Sequence, residues 1–198
     1  MAWIIVGLGN PGHDYDNTRH NTGRMMLTDF AKKKKLDEWK LDKKANALLT
    51  RGIVAHTPFA LVQPETFMNK SGNAVAKFVK SVKAAERLII VYDDLDLPLG
   101  KIKISFDRGS GGHKGIESIA RAVKTKKFWR IRVGVSPSTA AGVVKKPQGE
   151  KAVNNFILGK FITHEYAEIQ DMSKRVTQAL EAVLTEGATK AMNQFNSL

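Results

Sequence analysis

The sequence predicts an α/β fold: one domain built on a mixed β-sheet, with helices between the strands. Three observations carry that expectation. Strand-like runs alternate with amphipathic helical runs along the chain, the pattern of α/β domains. Leu88-Ile89-Ile90-Val91-Tyr92 is a short continuous apolar run, as expected of a central strand covered on both faces. The chain has 198 residues, 42% of them apolar, and a domain usually takes roughly 100–200 residues. No internal repeat, low-complexity segment or domain linker interrupts it.

The elements follow in order. Residues 3–9 read as a strand that breaks into Gly7-Leu8-Gly9-Asn10-Pro11-Gly12. Residues 22–35 read as a helix, with Met26, Leu27, Phe30 and Ala31 at helical spacing and Thr22 as its cap. It ends in Lys32-Lys33-Lys34-Lys35, a solvated run that adds to the basic field. ALLTRGIVAH and FALVQ, within 46–63, read as two strands around the turn signal His56-Thr57-Pro58. Residues 71–83 read as one helix from a Ser71 cap, with Val75, Phe78, Val79 and Val82 on one side. The central strand comes next. Ile102 to Phe106 alternates Lys with apolar residues, which suits a strand with one wet face. Gly109 to Gly112 reads as a flexible loop before a helix to about Val123. Arg130 to Val135 is a further strand with alternating charge. Residues 136–150 are rich in Ser, Ala, Gly, Pro and Lys without periodicity, and read as a mobile surface loop. Ile169, Met172, Val176, Leu180, Val183 and Leu184 mark a long amphipathic helix.

Composition narrows the function. Lys and Arg number 32 against 19 Asp and Glu, a net charge of +13. A domain this basic is suited to a polyanion, most simply nucleic acid. No apolar run is long enough to span a membrane, and no secretory signal pattern is seen. The absence of cysteine excludes disulfides and thiolate metal sites, and fits a cytoplasmic protein.

Two glycine motifs are decoys. Gly7-x-Gly9-x-x-Gly12 matches the dinucleotide fingerprint, which requires a helix to open at the glycines. Here Pro11 and a polar run to Asn21 delay the helix. The sequence from Gly109 to Lys114 lacks the Gly-Lys-Ser/Thr ending of a phosphate loop. Asp93-Asp94-Leu95-Asp96 follows the central strand. The cluster has neither calcium-loop spacing nor a His pair for zinc. Asp93, at the strand's C-terminal end, is placed to meet a ligand; Asp94 and Asp96 read as turn or cap residues, and the lesser alternative makes all three turn residues. His20 stands among Arg19, Asn21 and the Asn10 turn. A His paired with a buried Asp is the minimal general-base unit. No nucleophile elbow is present, so the attacking group is expected to be water. Asn69, in Thr66-Phe67-Met68-Asn69, offers an amide for a developing oxyanion.

Together these residues resemble the bacterial peptidyl-tRNA hydrolase family. Gly7 to Gly12 with Tyr15 and Thr18-Arg19-His20-Asn21 is similar to its first signature. Pro64 to Gly72 is similar to the second. Asp93 to Gly100, followed by Gly111-Gly112-His113-Lys114-Gly115 and Ser118-Ile119, is similar to the third. The resemblance spans nearly the whole chain. It implies a monomeric α/β fold with a twisted mixed sheet flanked by helices. It also implies hydrolysis of the ester joining a peptide to the 3′ end of tRNA, without cofactor or metal. By matching position it implies His20 as base, Asp93 as the group keeping it basic, and Asn10 as the discriminator of blocked from unblocked substrate. Tyr15, Phe67, Met68, Asn69, His113 and Lys114 are implied to contact substrate. The glycines of 109–115 resemble a gate loop, and residues 136–150 a lid. Lys114 stands where the family most often has Asn, exchanging a donor–acceptor for a charged donor. Lys101, Lys103, Arg108, Lys124, Lys126, Lys127, Arg130 and Arg132 are expected to meet the tRNA backbone. A rival expectation is a non-catalytic RNA-binding module or RNA-processing cofactor on the same fold, and a third is a nucleotide-dependent oxidoreductase.

Overall fold

Two apolar layers fix the architecture, one on each face of a seven-stranded sheet. The computed structural model describes residues 2–197. The strands are β1 (Trp3–Gly7), β2 (Lys40–Asp42), β3 (Ala47–Val54), β4 (Thr57–Pro64), β5 (Leu88–Pro98), β6 (Ile102–Phe106) and β7 (Trp129–Ser136). Their order in the sheet is β2-β3-β4-β1-β5-β7-β6. β1 runs parallel to β4 and β5, and β5 parallel to β7; the remaining pairs are antiparallel, so the sheet is mixed. The helices are α1 (Thr22–Lys33), α2 (Ser71–Val75), α3 (Val82–Ala85), α4 (Lys114–Val123), α5 (Glu150–Leu158), α6 (Tyr166–Glu186) and α7 (Ala188–Asn196).

Strand alternation sorts the core. Ile5, Leu61, Ile89, Val91, Ile131 and Val133 pack with Met26, Leu27 and Phe30 of α1, the buried stripe of α6, and Phe195 of α7. Val6, Val62, Leu88, Ile90 and Tyr92 face the other way, against Val75, Ile116, Ile119 and Phe128. Each fully buried side chain of this size contributes about 1.5–3 kcal/mol. The central strands are dry on both sides, as the Leu88–Tyr92 run predicts. The open edge of β6 is covered by one side chain of α7. The Asn196 amide accepts from Ile104 N–H and donates to Ile104 O, both at 2.8 Å, in the manner of a neighbouring strand.

Several local expectations are corrected. The first strand ends at Gly7 rather than residue 9. α1 is preceded by a 3-10 turn, Arg19–Asn21, and Thr22 lies inside the helix with its hydroxyl donating to Arg19 O. The β3–β4 hairpin turns on Ala55 and His56, both at positive φ, while Thr57 and Pro58 already belong to β4. Two positive-φ residues make the tight hairpin turn whose twist matches its strands. The single helix expected over 71–83 is two short ones. α2 closes at Val75, and Ser81 caps α3 by accepting from Ala84 N–H. β5 runs on to Pro98 with its register against β7 shifted between Asp94 and Pro98; there Asp94 Oδ1 accepts from Asp96 N–H at 2.8 Å, the local turn contact expected of these residues, set inside an irregular strand end. No helix among the described residues is long and apolar enough to cross a membrane.

Candidate active site

The site lies at the C-terminal ends of β1 and β5, where open α/β sheets bind ligands. A close approach of α1 to the sheet creates it. A Cβ on Gly23 would sit 2.2 Å from Val91 O and 2.5 Å from Leu8 N, so only glycine admits this contact. The turn before α1 therefore projects His20 over the end of β5. Arg19 locks that turn from behind. Its guanidinium donates to both carboxylate oxygens of Glu165, at 3.0 and 2.8 Å, and to the carbonyls of Gly159 and Lys160. It also lies 4.5 Å from the centre of the Phe156 ring.

Asp93 is 2% exposed and is shared by two imidazoles. His20 Nδ1 lies 2.9 Å from Oδ2 and 3.1 Å from Oδ1; His113 Nε2 lies 3.0 Å from Oδ1. His113 caps α4, and its Nδ1 accepts from Gly115 and Ile116 N–H at 3.2 and 3.3 Å. An accepting Nδ1 carries no proton, so the His113 proton is on Nε2 and points at Asp93. Burial raises the pKa of Asp93, but the charges and hydrogen bonds of His20 and His113 outweigh it and hold the carboxyl well below the usual range. An ionised carboxylate only accepts, so His20 donates from Nδ1. In the neutral imidazole this places the lone pair on His20 Nε2, the form a general base uses.

The cleft encloses about 620 Å³, and its lining includes Asn10, His20, Tyr92, Asp93, His113 and Lys114. Burial first, and then Asp94, push the Tyr92 hydroxyl up to about 12, so it stays neutral. Asn10 is gripped on three sides. Its N–H donates to Asn21 Oδ1, its carbonyl accepts from Asn21 Nδ2, and its Oδ1 accepts from Met68 N–H. The group left for a ligand is Asn10 Nδ2, a donor. His20, Asp93 and His113 also place three metal-ligating atoms within 4.8 Å of one another. In this hydrogen-bond pattern His20 Nδ1 and His113 Nε2 both carry protons, so the trio fits no metal without losing the α4 cap.

The structure brings five of the expected residues into the cleft: Asn10, His20, Asp93, His113 and Lys114. Tyr15, Phe67 and Asn69 do not line it. Phe67 is 56% exposed and meets the edge of Tyr15, with ring centres 6.2 Å apart. Asn69 is exposed on the turn after Phe67. Met68 is buried and contributes its backbone N–H to Asn10 rather than its side chain to a ligand. Lys114 pairs with Glu150 across the cleft mouth at 3.1 Å, and Lys146 with Asp96 at 2.6 Å. Residues 136–150 thus carry one side of that mouth.

Two members of the expected basic field are elsewhere. Arg130 and Arg132 are 0% and 5% exposed, because β7 is covered on both faces; alternating charge there does not mark a wet face. Arg132 Nε donates to Asp94 Oδ2 at 2.6 Å, an internal ion pair. Lys101, Lys103, Arg108, Lys124, Lys126 and Lys127 are exposed or partly so. Sequence reasoning missed Val153, Asn154 and Ile157 of α5, which complete the cleft wall. Their apolar spacing after the irregular 136–150 stretch was the available signal.

Comparison with known proteins places the chain. The model of the peptidyl-tRNA hydrolase family matches residues 4–198. The peptidyl-tRNA hydrolase of Thermodesulfovibrio yellowstonii is 38% identical over 98% of this chain and 99% of its own. That of Herpetosiphon aurantiacus is 39% identical, covering 98% of this chain and 90% of the relative. The crystal structure of peptidyl-tRNA hydrolase from Acinetobacter baumannii superposes with a TM-score of 0.86 at 30% identity, covering 99% of this chain and 95% of that one. With a matching fold, full-length similarity and a cleft built on the first and third signatures, the chain belongs to the peptidyl-tRNA hydrolase family.

Proposed function

We propose that the cleft hydrolyses the ester between a peptide and the 3′ end of tRNA, with His20 as general base. The observation that carries this is the His20–Asp93–His113 arrangement, in which His20 Nδ1 is held by the Asp93 carboxylate in the lining of the cleft. Water gives a proton to that nitrogen as its oxygen bonds to the ester carbonyl carbon. The bond from that carbon to the ribose 3′ oxygen then breaks, and the imidazolium returns the proton to the leaving oxygen. The products are a peptide acid and tRNA with a free 3′ hydroxyl. Asp93 holds the tautomer and stabilises the imidazolium. Asn10 Nδ2 donates to the blocked end of the peptide. Asn69, exposed on the turn after Phe67, is assigned to the substrate together with Tyr15 and Phe67; the exposed Phe67 ring suits stacking on a base. The enzyme is assigned as a monomer. Its substrate arises in the cytoplasm, and the enzyme is assigned there.

His20→Ala should lower kcat on N-acetyl-aminoacyl-tRNA by about 10³-fold or more while binding of tRNA persists, since positioned base catalysis supplies about 10²–10⁴. Turnover near that of the unmodified protein would remove His20 from the mechanism.

A further inference from the structure

We propose that the Tyr92 hydroxyl is a substrate-binding donor in the cleft, taking a carbonyl oxygen of the peptide. This deepens the hydrolase reading and rests on it for the peptide.

In the sequence Tyr92 is only the last residue of an apolar strand. In the fold it is 2% exposed and lines the cleft. Its ring meets that of His113 edge-on, with centres 4.9 Å apart. Its hydroxyl has no hydrogen-bond partner among the described residues. A buried tyrosine hydroxyl usually finds one. The side-chain atoms that are both enclosed and unpaired belong to other residues, so the Tyr92 hydroxyl opens onto the cleft. The charged groups beside it are already answered. Asp93 meets two imidazoles, Asp94 meets Arg132, Asp96 meets Lys146 and Lys114 meets Glu150. Tyr92 is answered by nothing, and no step of the hydrolysis uses it.

The surroundings select the kind of guest. Burial, and then Asp94, keep the hydroxyl protonated, so it can donate. Asp94 and Asp93 act on it from one sign of charge, Arg130 and Arg132 from the other. Two charges of each sign give an anion no advantage, and a neutral acceptor suits the place. Leu95, Val153, Ile157 and Leu158 supply apolar wall in the same cleft. A peptide brings apolar side chains and neutral carbonyls together, whereas RNA brings phosphates. A carbonyl carried into the cleft gives up water and needs a donor in exchange.

Tyr92→Phe removes the hydroxyl and keeps the ring against His113. An unpartnered hydroxyl gives up no bond within the protein, so thermal unfolding should stay unchanged or move upward. On N-acetyl-dipeptidyl-tRNA, kcat/KM should fall about tenfold, carried by KM, as for a contact made equally in ground and transition states. The pH profile of kcat should not move. A kcat/KM within twofold of the unmodified protein's would overturn the contact. So would a loss carried by kcat with a shifted profile, which would make Tyr92 a prop for His113. Binding is read apart from hydrolysis through the Tyr92 Cζ NMR signal, assigned by its loss in Tyr92→Phe. A neutral N-acetyl-dipeptide amide should move that signal, and tRNA carrying no ester should not. A signal that stays still with the amide, or that moves with the RNA instead, would overturn the peptide carbonyl as its partner. If the unmodified protein cleaves no peptidyl-tRNA, the hydrolase reading fails while the amide titration still decides the contact.

Discussion

Adjacent strands carry two buried charges that are treated oppositely. Asp93 on β5 receives hydrogen bonds from two imidazoles and is saturated. Arg130 on β7 donates to one carbonyl and lies over the Phe128 ring, with two donors unused. A saturated buried charge acts on its neighbours: Asp93 sets the tautomer of His20 and thereby makes a base. The unsaturated one has a carbonyl and the Phe128 ring, 4.7 Å from its guanidinium carbon, in place of an anion. Between them lies Arg132–Asp94, an internal pair whose two charges answer each other. The lesson is that partner count, more than charge or burial, separates chemistry from structure in this sheet.

The largest test of that comparison is Asp93→Asn. An amide has one accepting oxygen and one donating nitrogen. His113 is fixed as a donor by its cap, so the amide oxygen goes to it and the amide nitrogen turns toward His20. That drives the His20 proton to Nε2 and removes the base. A fall in kcat of about 10³–10⁴-fold is expected, the scale found when a catalytic imidazole is put in the wrong tautomer. A loss below tenfold, in single-turnover kinetics with saturating enzyme, would show that Asp93 does not set the tautomer.

The next effect contrasts the two β7 arginines. Arg132→Met strands Asp94 and should cost about 3 kcal/mol in urea unfolding. Arg130→Met removes a cation that has no carboxylate, and should change stability by less than about 1 kcal/mol. Equal destabilisation would mean that Arg130 is satisfied within the fold.

Acid titration is a smaller probe. Asp93 is depressed in the folded protein from its ordinary 3.8. Its contribution to stability is therefore complete above that value and is lost as pH falls below it. The stability gap between the native protein and Asp93→Asn should narrow between about pH 5 and pH 2. A gap independent of pH would mean that Asp93 is not preferentially ionised on folding. The smallest effect belongs to the cleft mouth. Lys114 and Glu150 are well exposed, and Glu150→Gln should alter stability by less than about 0.5 kcal/mol. A larger change in thermal unfolding would show the mouth to be a structural clasp.

Much of the site was legible because its residues sit in local signatures. Asn10 follows a strand, His20 precedes a helix, and Asp93 comes straight after the apolar Leu88–Tyr92 run, where a sequence pattern shows them. His113 was legible as a position but not as a role. Its double duty, capping α4 and donating to Asp93, depends on a loop conformation with no periodic signal. Arg130 and Arg132 were misplaced because alternation reports two faces without saying whether the second is wet. Asn69 was expected at the reacting carbonyl, yet it lies outside the cleft lining; a short turn gives no clue to which way its side chains project.

By itself, the sequence determined the α/β class, the dry central strand and the candidate for the catalytic base. These rest on apolar periodicity and on residues close together in the chain. Only tertiary structure decided which charges are paired. Asp93 meets His20 across 73 residues, and Arg130 goes without a carboxylate because of what the fold places around it. Electrostatic partnership is a property of distance in space, and chain order carries it only where the two coincide.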